Sequence, residues 1–418
     1  MDKFVIEGPS RLEGDLRVSG AKNAVLPLMA ASLLARGVSV IDNVPDLQDV
    51  RFFMTILEGL GAACSLEDHE LRIDTTGVTG CSAPYDLVRK MRASIYVLGP
   101  LLGARGEARV SLPGGCAWGP RPVNLHLEGM TALGADIELD EGYINARSPG
   151  RLRGGRFRFE PTSVGGTANV LMAAVLASGP THLENCAVEP EVTCLAEALV
   201  SAGARIEGVG TATLRIQGVA ELAPLRQTVI ADRIEAGTIM AGVALAGGSV
   251  RLTGVDCAHL HPISAVLEEM GCRIEEGAGV LRIQASGRPG PAEVITRPYP
   301  GFPTDMQAQV MAACAAASGT SFITETIYAD RFTHVAELNR LGADIRVDGP
   351  RATVFGVEKL KGAPVMATDL RASAALVLAG VAAHGTTTVN RVYHIDRGYE
   401  RIEQRLCALG ARIERVKG

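Results

Sequence analysis

The chain has 418 residues, which suggests two or three domains at about 150 residues each. Its 41 basic and 46 acidic residues leave a net charge of −5, which argues against a general nucleic-acid binder. With 47% apolar and 21% charged residues it is globular rather than disordered, and with only 4% aromatics its core must be built mainly from Ala, Val, Leu and Ile.

Residues 1–14 carry charge throughout and hold no apolar segment of the signal-peptide kind. Within them Phe4-Val5-Ile6 reads as a strand that fits no N-terminal unit and is free to pair with strands near the C-terminus. Ser19-Gly20-Ala21-Lys22-Asn23-Ala24 then places a lysine before a wholly apolar helix, where a cation opposes the helix dipole. Two readings are open: a solvated Lys22 with Asn23 as N-cap, or a lysine and a helix N-terminus jointly holding an anion.

From here the chain repeats. A helical stretch ending in Gly, a small residue and an apolar one recurs at Gly61, Gly134, Gly203, Gly271, Gly342 and Gly410, spaced 73, 69, 68, 71 and 68 residues apart. Between these, an Ala-rich stretch, a Gly and a β-branched run recur at Gly37, Gly106, Gly179, Gly248, Gly319 and Gly385, spaced 69, 73, 69, 71 and 66. Two markers with one period of about 70 point to six repeats. In the third, residues 168–177 are apolar almost all round and read as a buried helix that Gly179 ends as a C′ glycine. Thr181-His182-Leu183-Glu184-Asn185 reads as a strand, 191–202 as an amphipathic helix stopped by Gly203, and 205–207 with 213–216 as a strand pair. Such a unit cannot stand alone, so several must share their apolar helices in a common core. Two groups of three suit domain size, with the join near 219–232, where Pro224 interrupts the rhythm. The expected domains are 22–231, and 1–21 together with 232–418, with a ligand cleft between them. The longest apolar runs, 239–247 and 373–383, are about half the length of a membrane span.

Four stretches break the repeat, and they are where chemistry is expected. The Lys22 stretch is the first. Pro113-Gly114-Gly115-Cys116-Ala117-Trp118-Gly119-Pro120-Arg121-Pro122 is the second, a loop that can join neither helix nor sheet and that carries a Cys, the only Trp and an Arg. A thiol near an arginine and free backbone N–H groups could have a lowered pKa, while the plain alternative is a surface loop. In the third, 297–308, three prolines and a glycine lead into an apolar helix with Asp305 at its start, either as an N-cap or first-turn acid or as a general base. The fourth is the pair Thr368-Asp369-Leu370-Arg371 and His394-Ile395-Asp396-Arg397-Gly398-Tyr399, where local ion pairs of small worth are the plain reading. With Arg92 and Arg331 these cations lie off the repeat in an acidic protein, which suggests a local anion site. No GxxxxGK[ST] or GxGxxG loop is present. Cys257-Ala258-His259-Leu260-His261 lacks the rest of a zinc pattern, so neither metal nor cofactor is expected. Nine scattered cysteines without a CxxC pair suit a reducing cytosol, and a cytoplasmic protein is expected.

At these stretches the chain resembles the UDP-N-acetylglucosamine branch of the enolpyruvyl transferase family. The resemblance runs over essentially the whole chain. It is most specific at Gly20-Ala21-Lys22-Asn23-Ala24, Pro113-Gly114-Gly115-Cys116, Gly119-Pro120-Arg121-Pro122-Val123, Phe302-Pro303-Thr304-Asp305-Met306-Gln307 and His394-Ile395-Asp396-Arg397-Gly398-Tyr399-Glu400-Arg401. It implies an α/β fold, a two-domain inside-out barrel of six βαβαββ repeats with helices inside and sheets outside. It implies transfer of enolpyruvyl from phosphoenolpyruvate to the 3′-hydroxyl of UDP-N-acetylglucosamine, with release of phosphate, at the start of peptidoglycan synthesis. By position, Cys116 corresponds to the acid that protonates C3 of phosphoenolpyruvate, and Asp305 to the base that takes the sugar proton. Lys22, Arg121 and Arg397 correspond to cations on the phosphate and carboxylate. Asn23, Arg92, Arg121, Pro122, Val123, Asn124, Leu125, Ser163, Val164, Gly165, Asp305 and Ile327 correspond to contacts with the UDP-sugar. Arg331 joins the substrate-binding set, and Asp369 and Arg371 correspond to closing contacts. The implied partners are these two small molecules, with no nucleic acid and no membrane. The chain departs from the family pattern at Glu160-Pro161-Thr162, Asn124, Val188 and Trp118. Three rivals stand beside this reading: the sister enzyme acting on shikimate 3-phosphate, a repeat scaffold without chemistry, and an RNA-end-modifying enzyme, which the acidic balance disfavours.

Overall fold

A computed structural model describes residues 2–88, 91–112 and 123–418. The chain forms two compact units, Gly20–Ile230, and Met1–Ser19 with Ala231–Gly418. Each unit has its own apolar core and three four-stranded sheets.

All six sheets share one order. In the third, Arg156–Arg158 lies at the edge, parallel to Pro180–Glu184. Pro180–Glu184 pairs antiparallel with Thr213–Gln217, which pairs antiparallel with Arg205–Glu207. Three sheets borrow a strand from far along the chain. Arg226–Thr228 runs parallel to Val38–Asp42, and Leu12–Arg17 runs parallel to Gly248–Thr253. Lys3–Gly8, which contains the opening strand read from the sequence, lies between Gly385–Asn390 and Ile413–Val416. Burial alternates along these strands, as in Thr213–Gln217, so each sheet offers one apolar face to its core.

The helices that lead the repeats are buried almost all round. In Gly20–Ile230 they are Lys22–Ala31, Leu98–Arg105 and Val164–Ala174; in the other unit they are Arg233–Ala246, Gln307–Ala315 and Leu370–Ala382. Their Ala- and Gly-rich surfaces allow close packing. A side chain at Gly99 would run into the backbone of Asn169 on the neighbouring helix. The second helix of a repeat is amphipathic instead, as Gln48–Gly59 shows.

The two recurring glycines have different causes. The first marker always adopts positive φ, from 88° at Gly342 to 107° at Gly203, so it sits just past the helix end where other residues are strained. The second marker is not uniform. The helix before Gly179 already ends at Ala174, so Gly179 is not its C′ glycine. It is small because a Cβ there would lie 2.6 Å from the carbonyl oxygen of Arg153. The helix C-terminal ends are capped by arginines: Arg151 Nε donates to Leu176 O at 2.8 Å, and Arg288 Nε to Ala316 O at 2.8 Å. No described helix is long and apolar enough to cross a membrane.

Candidate active site

In the unit that contains the C-terminus, the candidate residues gather on Asp305. Pro303 opens a 3-10 turn, Thr304–Met306, which runs into the buried helix Gln307–Ala315. Pro303 is the N-cap and Asp305 stands in the first turn, so it is the first-turn acid of the plain reading and not the cap. Its carboxylate is instead gripped by two arginines from elsewhere in the unit. Arg331 Nη2 donates to Oδ1 at 2.7 Å and Arg371 Nη2 to Oδ2 at 2.8 Å. The arginines are only 7% and 4% exposed, whereas the Asp305 side chain is 27% exposed. The carboxylate therefore faces outward from a walled-in pair of cations.

Each grip is braced. Arg371 is the second residue of Leu370–Ala382, a helix capped by Asp369, whose Oδ1 accepts from the N–H groups of Arg371 at 2.9 Å and Ala372 at 3.1 Å. Arg371 Nη1 also donates to the Tyr399 hydroxyl at 3.2 Å, which is 2.8 Å from the Thr238 hydroxyl and accepts from Gln309 Nε2 at 3.2 Å. Gln309 Nε2 reaches back to Asp305 O at 2.9 Å. Arg331 Nη1 donates to the Thr304 hydroxyl at 2.8 Å. The plain ion-pair reading of Asp369-Arg371 is thus replaced: Asp369 caps a helix and Arg371 binds Asp305. Asp396 is held by Arg415 through bonds of 2.9 and 2.6 Å, an ion pair reaching to the last strand. Arg397 ends the turn Val392–Arg397, half-buried, and with burial it lowers the pKa of His394.

The electrostatics of Asp305 follow from this geometry. Burial alone would favour the neutral acid, but Arg371 and Arg331 outweigh it and hold the carboxyl well below the usual carboxylate range. In this arrangement Asp305 is ionised and a weak proton acceptor. Any anion that draws a guanidinium away strengthens it as a base.

In Gly20–Ile230 the remaining described candidates lie at or near helix starts. Lys22 is the first residue of its helix, Ala21 is the N-cap, and Asn23 follows inside the first turn, so Asn23 is not the cap. Lys22 is not solvated either: Nζ lies 2.6 Å from Asp49 Oδ2, and the two side chains are 12% and 6% exposed. Asp49, from the first turn of Gln48–Gly59, thus answers the cation that opposes its helix dipole. Arg92 opens the turn Arg92–Val97, Val123 caps Asn124–Ala132, and Ser163 caps Val164–Ala174 by accepting from Gly166 N at 3.0 Å. Asn124 is exposed and donates to Glu128 at 3.2 Å, while Leu125 is buried.

One amide brings these three segments together. Asn169, in the middle of Val164–Ala174, donates to Ile95 O at 2.8 Å and accepts from Gly99 N at 2.7 Å. It lies 3.0 Å from His126 Nδ1. The second amide hydrogen therefore points at Nδ1, and His126 carries its proton on Nε2. Burial pushes the His126 pKa down to about 4, so the ring is neutral at pH 7. A Cβ at Gly165 would lie 3.3 Å from Nε2, which places His126 beside the 163–165 segment. His126 and Asn169 were missed in the sequence. The available signal was a lone carboxamide in an otherwise apolar helix.

Cys116, Trp118, Arg121 and Pro122 lie outside the described residues. Ile327, Asp305, Arg331, Asp369, Arg371 and Arg397 belong to one unit, and Lys22, Asn23, Arg92, Val123, Asn124, Leu125, Ser163, Val164 and Gly165 to the other.

Known proteins agree on the family. The family model of EPSP synthase (3-phosphoshikimate 1-carboxyvinyltransferase) matches residues 6–406. The UDP-N-acetylglucosamine 1-carboxyvinyltransferase of Geobacter metallireducens is 53% identical over 417 residues, with 100% of both chains covered. That of Anaeromyxobacter dehalogenans is 55% identical over 422 residues, again with 100% of both covered. Among solved structures, the enolpyruvyl transferase NikO from Streptomyces tendae superposes with a TM-score of 0.90 at 29% identity, covering 100% of this chain and 99% of its own. EPSP synthase from Acinetobacter baumannii shares the fold, with a TM-score of 0.75 at 17% identity over the whole of both chains. Full-length identity above half, on a fold shared with enolpyruvyl transferases, establishes that the chain is an enzyme belonging to the UDP-N-acetylglucosamine 1-carboxyvinyltransferase family.

Proposed function

We propose that the protein transfers the enolpyruvyl group of phosphoenolpyruvate to the 3′-hydroxyl of UDP-N-acetylglucosamine, releasing phosphate, as the first committed step of peptidoglycan synthesis in the cytoplasm. The observation that carries this reading is the full-length identity of 52–55% to enzymes of that name. The sister activity on shikimate 3-phosphate has weaker support, because the EPSP synthase structure is only 17% identical. We read the six like-ordered sheets and their buried helices as the inside-out α/β barrel of the family, with domains at 22–231, and 1–21 with 232–418.

Asp305 is the proposed base. It takes the proton of the 3′-hydroxyl as that oxygen bonds to C2 of phosphoenolpyruvate, while the Cys116 thiol gives a proton to C3. A C3 proton then leaves, the C2–O bond to phosphate breaks, and the double bond returns as an enol ether. Two groups divide the labour of acid and base. Phosphoenolpyruvate brings a carboxylate and a phosphate, and Lys22, Arg121, Arg331, Arg371 and Arg397 are the cations proposed to receive them. Anions arriving at Arg331 and Arg371 compete with Asp305 for the same guanidiniums. Substrate binding thereby raises the proton affinity of the base at the moment it is needed. Asn23, Arg92, Pro122, Val123, Asn124, Leu125, Ser163, Val164, Gly165 and Ile327 are the proposed sugar-nucleotide contacts, and Asp369 holds the helix start that presents Arg371.

Phosphate release from phosphoenolpyruvate is the direct test. Release that depends on UDP-N-acetylglucosamine supports the assignment; release with shikimate 3-phosphate in its place, or with neither acceptor, overturns it. Cys116→Ala should abolish turnover, and Cys116→Asp, which can also give a proton, should retain it.

A further inference from the structure

Glu325 follows the strand Thr320–Thr324, is 1% exposed, and has no part in the reaction described above. Both its oxygens are engaged. Oε1 accepts from the Thr296 hydroxyl at 2.7 Å and from the backbone N–H groups of Ile327 at 2.7 Å and Tyr328 at 3.0 Å. Oε2 accepts from the Thr304 hydroxyl at 2.8 Å. A carboxylate only accepts and a guanidinium only donates, so the direction of this chain is fixed. The single Thr304 proton goes to Glu325. The hydroxyl lone pairs then face Arg331 Nη1, which donates to Oγ1 at 2.8 Å. The other end of the same guanidinium, Nη2, holds Asp305 Oδ1 at 2.7 Å.

We propose that Glu325 is a positioning residue for the transfer reaction, acting through the Thr304 hydroxyl to set Arg331 on Asp305 and, through its other oxygen, to shape the Ile327–Tyr328 backbone. A buried carboxylate costs desolvation, and a purely structural turn would need only a neutral acceptor. The negative charge has a particular effect here. Through the Thr304 hydroxyl it fixes the guanidinium end that does not hold Asp305. Because Thr304 directly precedes Asp305, the relay also couples the orientation of the base to that of its arginine.

The inference rests on the proposed role of Asp305, and the test separates the two. Thr304→Val removes the hydroxyl at nearly constant volume. It should lower kcat by about 10²-fold, the scale for a catalytic group displaced by about 1 Å. The KM for UDP-N-acetylglucosamine should stay close to the parent's, and the melting temperature should fall by no more than the loss of one buried hydrogen-bond partner, about 1–3 kcal/mol, entails. Thr304→Ser should recover the rate. Glu325→Gln keeps the acceptor at Oε1 and should lower kcat in the same way. The double variant should be no slower than the worse single, because both cut one chain. Parental turnover in Thr304→Val, failure of Thr304→Ser to rescue, or multiplying losses in the double would each overturn the relay. Asp305→Asn is the control. If it turns over at the parental rate, the role of Asp305 has failed; if it is inactive while Thr304→Val runs normally, only the relay has failed.

Discussion

The buried helices of the two units are capped differently. In the unit that contains the C-terminus, acids stand at the N-terminal ends: Asp232 accepts from Ile234 N at 2.8 Å, Asp369 caps Leu370–Ala382, and Asp305 lies in the turn before Gln307–Ala315. Acids there agree with the helix dipole. In Gly20–Ile230 no acid caps these helices: Lys22 opens the first, Arg92 opens the turn before the second, and the neutral Ser163 caps the third. A lysine at the first helical position opposes the dipole, and Asp49 must answer it. Residues that agree with local physics can be structural. Residues that defy it, in an otherwise regular repeat, mark the anion chemistry. Asp305 joins both classes: as a first-turn acid it suits a helix start, and it also binds two buried arginines.

The largest effect that tests this contrast is at Asp305. Asp305→Ala should lower kcat by about 10²–10⁴-fold, the span for a general base. It should also cost about 3 kcal/mol of stability, because Arg331 and Arg371 lose the carboxylate between them. A melting temperature equal to the parent's would show that the arginines need no counter-ion, and the clamp would lose its meaning.

Next comes pH, where two arginine-paired carboxylates of the same unit differ, one partly exposed and one buried. Asp305 has a depressed pKa, so its contribution is present above the usual ~3.9 and is lost only as pH falls through its lower folded value. Glu235 is 4% exposed, accepts from Ser19 N at 2.7 Å and has Arg405 Nε 2.9 Å away. Burial outweighs these and pushes its pKa up to about 7. Its cost is absent below the usual ~4.3 and grows as pH rises to about 7. Relative to the parent, Glu235→Gln should therefore gain about 3 kcal/mol between pH 4 and pH 8. Denaturant melts at the two pH values measure this, and an unchanged difference would mean that Glu235 titrates normally.

Packing separates the units by a smaller amount. At Gly99 a Cβ would strike the Asn169 backbone, whereas at Gly242 it would meet the flexible Leu378 side chain, 2.9 Å from Cδ2. Gly99→Ala should cost about 3 kcal/mol and Gly242→Ala about 1 kcal/mol, the two ends of the overpacking range. Equal melts would show that the helix pair in Gly20–Ile230 yields as readily as a side chain. Lys22→Ala tests the helix start in Gly20–Ile230. It removes a cation worth about 0.3–1 kcal/mol against the dipole but takes from Asp49 its ion pair with Lys22. Asp49 stays buried without that cation, so the net cost should be about 3 kcal/mol, as for Asp305, while phosphate release collapses.

The sequence by itself determined the repeat. Two glycine markers, apolar helices and alternating strands are local patterns, and each follows from a backbone conformation or a burial period that a short window of residues contains. The first marker is legible for this reason, since positive φ at Gly203 and its counterparts admits little else. The segments that leave the repeat were legible too, because departures from a period are visible without a structure. Tertiary structure decided what those segments do. Asp305 at a helix start reads equally as a cap or a base until Arg331 and Arg371, 26 and 66 residues away, close on it. Lys22 reads as solvated until Asp49 arrives from the next helix, and the one carboxamide of a mostly apolar helix, Asn169, proves to orient His126. These pairings depend on direction and distance between side chains far apart in the chain. Hydrophobic periodicity carries no record of either, because it specifies which face is buried and not which charge that face will meet.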